Sequence, residues 1–412
     1  MYSAPSVDKW RALASTSLGH LINDGWSMFV PLMADIIVNE KQTPLVVVTL
    51  ISISFYSSSA LLNFFIGHLA DRNGRQGNFM ATGIALISLA FLGFALALSF
   101  PTDSLLYFLV TAMAILAGLG SACYHPIAGA ILQTSFGPGD SGKAMGLNGA
   151  FGQIGSAIFP PLFFALAIFV DQGNALALMT VLGLLGAVAI WRGLRTYRVV
   201  RDRADTGRKH GAKDALTKGI LVLTIITAVR SIANTGVSTW LPTYITFVKG
   251  EGVGSLLGFT LAAMYLGAIP GQLVFGALVE RLDKRYVLGA SSAGAALGVI
   301  GYVFTGGYLA LAFITLFGFF SYSSFPTLLS LASDYVPRSS WVAANGFVWG
   351  LGIMGGNVIG PALTQIIIGE DYARLSMAFI VLAALGMFGA LVTPLMTKAK
   401  PEDRKISEKR AE

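Results

Sequence analysis

Long apolar stretches recur along this chain, each closed by a short polar break. A bilayer crossing takes about 20 mostly apolar residues. Twelve stretches meet that length, at about residues 12–38, 44–69, 78–100, 104–133, 142–170 and 173–191, then 219–248, 253–279, 286–305, 308–333, 341–369 and 374–396. The pattern predicts an all-α integral membrane protein of twelve transmembrane helices.

The second half of the chain rewrites the first. Gly118-Leu119-Gly120-Ser121 running to Pro126 returns as Gly318-Phe319-Phe320-Ser321 running to Pro326, and Gly146, Gly152, Gly155 and Pro161 return as Gly346, Gly352, Gly355 and Pro361. Two pseudo-symmetric six-helix halves follow, residues 1–191 and 219–396, joined by a polar linker at 192–218 and followed by a polar tail at 397–412. Parallel halves of this kind predict a scaffold that alternates access to a central site.

Composition agrees: of 412 residues, 54% are hydrophobic and 12% charged, too apolar for a soluble protein of this size. No stretch is left for a soluble catalytic domain. The net charge of +7 would suit nucleic acid if it were clustered, but it is confined to alternate loops. Lys9 and Arg11, Arg72 and Arg75, the basic run from Arg192 to Lys218, Arg281 with Lys284 and Arg285, and the tail fall on one side; Lys41, Lys249 and Arg374 fall on the other. This asymmetry puts both termini in the cytoplasm of a multi-pass cell (inner) membrane protein, with the lipid bilayer and no nucleic acid as its surroundings. The first stretch is too long for a signal-peptide core and is read as a retained helix. The lone Cys123 excludes an intramolecular disulfide.

Ionisable groups inside such stretches are costly and therefore functional candidates. Asp24 is the carboxylate nearest the middle of a stretch, with His20 one helical turn before it and Asn23 beside it, so imidazole and carboxylate can bond directly. Asp35 lies near the outer end of the first helix and is expected to be solvated. Arg230 is the basic residue deep in the seventh helix. Aligning Pro31 with Pro242 sets Asn23 opposite Asn234 and puts Arg230 about 7.5 Å of helix rise to the cytoplasmic side of Asp24. A guanidinium keeps its charge and presents a fork suited to carboxylate or phosphate. Arg230 is therefore expected to hold an anionic substrate group, or else to pair with Asp24. His125, whose repeat counterpart is Phe325, is either a functional group or a cap for a carbonyl freed by Pro126. Trp26 and Trp240 lie inside helices, where each indole N–H needs a partner or a wet cavity. With Tyr56, Tyr265 and Tyr322 they complete the expected substrate path.

Four histidines and one cysteine do not read as a metal set, and no phosphate-binding Gly-x-x-x-x-Gly-Lys loop occurs. No cofactor and no enzymatic role are expected. The reading is a monomeric secondary transporter of a small organic anion, proton-coupled through Asp24 and His20. Proton-antiport efflux of drugs or metabolites is the alternative, and a non-transporting membrane sensor lies further off.

Gly67-His68-Leu69-Ala70-Asp71-Arg72-Asn73-Gly74-Arg75 resembles the loop signature of the major facilitator superfamily, and Gly276 to Arg281 echoes it. The resemblance implies the major facilitator fold and a cytoplasmic gate made by Asp71, Arg72 and Arg75, with Glu280, Arg281 and Lys284 in the second copy. Ser17 to Asp24 and Gly118 to Pro126 are similar to the fosmidomycin resistance protein family of drug exporters. After its His-Pro pair that family carries a glutamate and an arginine, where this chain has Ile127-Ala128-Gly129-Ala130.

Overall fold

The computed structural model of the protein describes residues 7–73, 75–197, 216–336, 344 and 346–397. Its helices are α1 (Lys9–Lys41), α2 (Val46–Asn73), α3 (Gln76–Ala97), α4 (Ser104–Ala122), α5 (His125–Val170) and α6 (Gln172–Leu194), then α7 (Lys218–Thr243), α8 (Ser255–Arg281), α9 (Lys284–Phe304), α10 (Gly307–Ser321), α11 (Phe325–Asp334), α12 (Gly355–Ile368) and α13 (Leu375–Val392). Among the described residues, 12 helical stretches are long and apolar enough to cross a membrane.

Local chemistry sets the helix ends. The Asp8 carboxylate accepts from the main-chain N–H groups of Trp10 and Arg11 and starts α1, and Asp103 does the same for α4 through Leu105 and Leu106. Such caps satisfy donors that have no partner within the helix. Two stretches that read as unbroken helices are interrupted. The fourth stops at Ala122 and restarts at His125, and the tenth passes through a 3-10 turn at Tyr322–Ser324 before restarting at Phe325. Pro126 and Pro326 cause both breaks, because proline lacks the N–H that would continue the helix yet suits its first turn.

The chain forms two compact units, Met1–Asp205 with Leu241–Tyr265, and Thr206–Trp240 with Leu266–Glu412. In the first, α1 packs on α5, α3 on α6, and α2 on α4. Trp26 of α1 stacks on Phe91 of α3 at 4.1 Å and meets Phe159 of α5 edge-on, which centres the aromatic core. In the second, α9 packs against α10 and α13, over an aliphatic core that includes Ile220, Leu223, Leu288 and Leu328.

The repeated glycines mark the tightest crossings. A Cβ at Gly155 of α5 would collide with the main-chain oxygen of Leu21 in α1, and one at Gly360 of α12 would lie 2.6 Å from that of Ile232 in α7. Lipid supplies no hydrophobic drive for helix association, so backbone-to-backbone approach at small residues does the holding.

Candidate functional site

The first unit gathers its polar side chains where α1 passes the start of α5. One turn of α1 puts His20 Nε2 3.1 Å from Asp24 Oδ2. The break before Pro126 places His125 on the first residue of α5, with its Nε2 3.7 Å from Asp24 Oδ1. Asn23 is fully buried between them, donating from Nδ2 to Asp24 Oδ1 at 3.0 Å with the same nitrogen 3.5 Å from His125 Nε2. The side chains of His20 and Asp24 are each 14% exposed and that of His125 is 46% exposed, so His125 is the open side of the cluster.

The far side of His20 decides its protonation pattern. Its Nδ1 lies 2.8 Å from the main-chain oxygen of Asn148 on α5 and 2.8 Å from that residue's amide oxygen. A carbonyl oxygen only accepts, so Nδ1 carries a hydrogen and donates it. Nε2 is then the nitrogen facing the carboxylate, and two lone pairs do not share a gap of 3.1 Å without a cation between them. The arrangement suits a shared proton or another cation at that place. The Tyr124 hydroxyl bonds the main-chain oxygen of Thr16 at 2.9 Å and the Asn148 amide at 3.1 Å, which fixes the wall behind the imidazole.

Sequence reasoning found His20, Asn23 and Asp24 through helical spacing and named His125 separately. It did not join His125 to them, whereas the fold brings donor atoms of His20, Asp24 and His125 within 4.8 Å of one another. His125 lies 101 positions after Asp24 and 105 after His20, and no local spacing encodes that. Tyr124 was missed as well, although its place beside His125-Pro126 was a usable signal.

Arg230 of α7 is 7% exposed in the second unit. Its Nη2 donates to the main-chain oxygens of Ser321 at 2.6 Å and Phe320 at 3.1 Å. Those carbonyls lie at the end of α10, where the chain turns into the 3-10 helix at Tyr322–Ser324 and where a positive charge is favoured; the Phe320 carbonyl also accepts from Ser323 Oγ at 2.8 Å. Nε has no hydrogen-bond partner, and Arg230 borders a cavity of about 10 Å³ lined also by Asn234, Ser292 and Phe317, room for about one water molecule. In this structure the guanidinium caps a helix, with part of its fork unused.

Trp26 and Trp240 are fully buried, and each indole N–H has a partner, Ser88 Oγ for Trp26 and the Pro361 carbonyl for Trp240, both at 3.2 Å. Their place is in the packing of their own units. Tyr56 and Tyr265 are buried, and Tyr322 is half-buried at the α10 break. Of the expected gate residues, Asp71 and Arg72 fall on α2 with side chains outside the described residues, while Arg75, Glu280 and Arg281 are exposed. Lys284 donates to Asp334 Oδ2 at 2.6 Å and ties the start of α9 to the end of α11.

Asp35 departs from expectation. It is fully buried, and Thr246 Oγ1 donates to its Oδ2 at 2.7 Å. Position along α1 suggested solvent, but the segment Leu241–Tyr265 packs into the same unit and covers it.

The Major Facilitator Superfamily pattern matches residues 18–354 and 252–412. The chain is 24% identical over 416 residues to the uncharacterized MFS-type transporter YfnC of Bacillus subtilis, covering 98% of this chain and 96% of that one. It is 25% identical to the hexuronate transporter of the same organism over 83% of each chain. With the probable sulfoacetate transporter SauU of Cupriavidus necator it shares 24% identity over 64% of this chain and 68% of that one. In fold it resembles a bacterial homolog of the human lysosomal transporter Spinster, with a TM-score of 0.77 at 14% identity over 96% of this chain and 98% of that one. It also resembles a peptide transporter, with a TM-score of 0.69 at 14% identity over 94% and 93% of the two chains. The chain therefore belongs to the Major Facilitator Superfamily, as a multi-pass membrane transporter and not an enzyme.

Proposed function

We propose that this transporter carries a small organic anion by alternating access, coupled to protons held between His20 and Asp24. The observation that carries the reading is the 3.1 Å approach of His20 Nε2 to Asp24 Oδ2 while Nδ1 is committed to Asn148. A pair that needs a shared proton in one arrangement and can part with it in another is what coupling requires. The anion assignment draws support from the relatives named for hexuronate and sulfoacetate, both anions. It draws further support from the unused Nε of Arg230 beside Asn234. Asn23, His125, Tyr56, Tyr265, Tyr322 and the two buried tryptophans complete or support the path, and Arg75, Glu280, Arg281 and Lys284, with Asp71 and Arg72, form the cytoplasmic gate. The protein works as a monomer in the cell membrane with both termini in the cytoplasm.

The test is uptake of labelled hexuronate and sulfoacetate into proteoliposomes under an imposed pH gradient. Asp24→Asn is expected to lose the gradient response. Uptake by that variant that still accelerates with the gradient would falsify the proton assignment.

Antiport efflux is the second reading. It is favoured by the meeting of two separate motifs at one place, since Ser17–Asp24 and Gly118–Pro126, the stretches similar to the fosmidomycin resistance family, supply His20, Asp24 and His125 to the same cluster. Cells expressing the chain would then tolerate such drugs, and cells lacking that tolerance would rule this reading out.

A further inference from the structure

We infer that His20, Asp24 and His125 form a binding site for a divalent transition-metal ion of the zinc class. The ligands are the two Nε2 atoms and one oxygen of the Asp24 carboxylate. The inference stands on the geometry of the cluster and does not depend on what the protein transports.

The donor set and its spacing come first. Two neutral imidazoles and a carboxylate are the ligands zinc and its neighbours take, unlike the all-oxygen sets of magnesium and calcium. Ligands about 2.1 Å from a tetrahedral ion lie about 3.4 Å from one another. Here Nε2 of His20 is 3.1 Å and Nε2 of His125 3.7 Å from oxygens of the same carboxylate, and all three donors fit within 4.8 Å. The two contacts are to different oxygens of that carboxylate, so with one oxygen as ligand the widest donor pair would close from at most 4.8 Å to about 3.4 Å.

The groups around the cluster are a separate observation. A histidine that binds a metal almost always donates its other ring N–H to a carbonyl or carboxylate, which fixes the tautomer and aims the free nitrogen. His20 does this with Asn148 at 2.8 Å. The carboxylate is held in turn by Asn23, which donates to Oδ1 at 3.0 Å and leaves Oδ2 directed at His20. Behind the pair stands Gly152, where a Cβ would lie 2.6 Å from the His20 ring and 2.8 Å from Asp24 Oδ2, so that wall carries no side chain. On the opposite side the 46% exposure of His125 leaves room for a fourth ligand, a water or an anionic group, as zinc sites with three protein ligands keep.

A metal and a shared proton are alternatives at the same place. An ion can bind only when both imidazoles are neutral at Nε2, so its affinity falls as pH drops. Bound metal would stitch the middle of α1 to the first turn of α5.

The full chain, purified in detergent with neither substrate nor pH gradient, is titrated with Co²⁺ and then with Zn²⁺. One equivalent of Co²⁺ is expected to give visible absorption bands of a low-coordinate nitrogen-containing site, bleached by Zn²⁺, with Zn²⁺ also raising the thermal unfolding temperature. His20→Gln and His125→Gln are expected to lose the bands. The double variant His68→Gln/His210→Gln, which removes the other two histidines of the sequence, is expected to keep them. His125 is half exposed, so its variant decides the matter even if His20→Gln does not fold. The inference is overturned if the wild type shows no saturable band, or if the band survives His125→Gln. Failure here leaves the transport reading standing, and failure of gradient-driven uptake leaves the metal site standing.

Discussion

Gly152 stands against His20 with no space between them: a Cβ at Gly152 would lie 2.6 Å from the imidazole Nε2. Overpacking a filled site costs about 1–3 kcal/mol and displaces its neighbours. Gly152→Ala is therefore expected to push His20 off Asp24 and to abolish the gradient response of uptake. Gly146→Ala, where a Cβ meets nothing within 4 Å, is expected to keep it. Proteoliposome uptake by the two variants checks this, and a normal gradient response in Gly152→Ala would place coupling elsewhere.

Arg230 has two separable tasks, capping α10 and meeting an anion. Arg230→Met removes the charged donor that the Ser321 and Phe320 carbonyls share, although Phe320 keeps Ser323 Oγ; a hydrogen bond to a charged group contributes about 1.5–3 kcal/mol. Arg230→Lys keeps one charged donor but loses the planar fork. Both variants are expected to raise the KM for anion uptake about tenfold or more, equivalent to about 1.4 kcal/mol. Only Arg230→Met is expected to lower the melting temperature markedly. Equal melting temperatures for the two would remove the capping task.

How much of this was legible in the chain differs from feature to feature. The twelve spans follow from apolar length alone, because lipid leaves a backbone few other choices. The His20–Asp24 contact follows from helical spacing, a local property. His125 joining them does not, since it depends on where α5 restarts and on which helix lies beside it. Pro126 signals a freed carbonyl, yet the full helix breaks at Pro126 and Pro326 are not legible from hydropathy, because the apolar signal runs straight through both. Asp35 was misjudged for a related reason: depth was inferred from position on its own helix, while its cover comes from Leu241–Tyr265.

That cover makes a prediction of its own. Thr246 donates to Asp35, and asparagine can accept the same bond through its amide oxygen while alanine cannot. Asp35→Asn is expected to melt within a few degrees of wild type. Asp35→Ala leaves a buried hydroxyl without its acceptor and is expected to lose about 1 kcal/mol or more. Thermal unfolding in detergent distinguishes them, and identical melting of all three proteins would show that the bond holds nothing.

Outside the spans, Asp171 caps α6 by accepting from the Asn174 N–H at 3.0 Å. That main-chain bond, ahead of any other influence, holds its carboxyl below the usual carboxylate range. A lowered pKa means that stability is present above the unfolded-state value and is lost as pH falls through the folded one. Asp171→Asn caps without a charge, so the part of the acid-side stability loss below about pH 4 that belongs to this residue is expected to vanish. Melting curves from pH 3 to 6 for the two proteins test it, and superimposable acid limbs would count against the cap.

The crossing of α1 and α5 is sealed by backbone, Gly155 against the Leu21 carbonyl, a single turn away from His20 and Asp24. Side chains can absorb a local disturbance by changing rotamer, and a main chain pressed on a main chain cannot. A displacement of the α1 backbone at Leu21 has therefore to be met by the α5 backbone at Gly155, since no side chain lies between them.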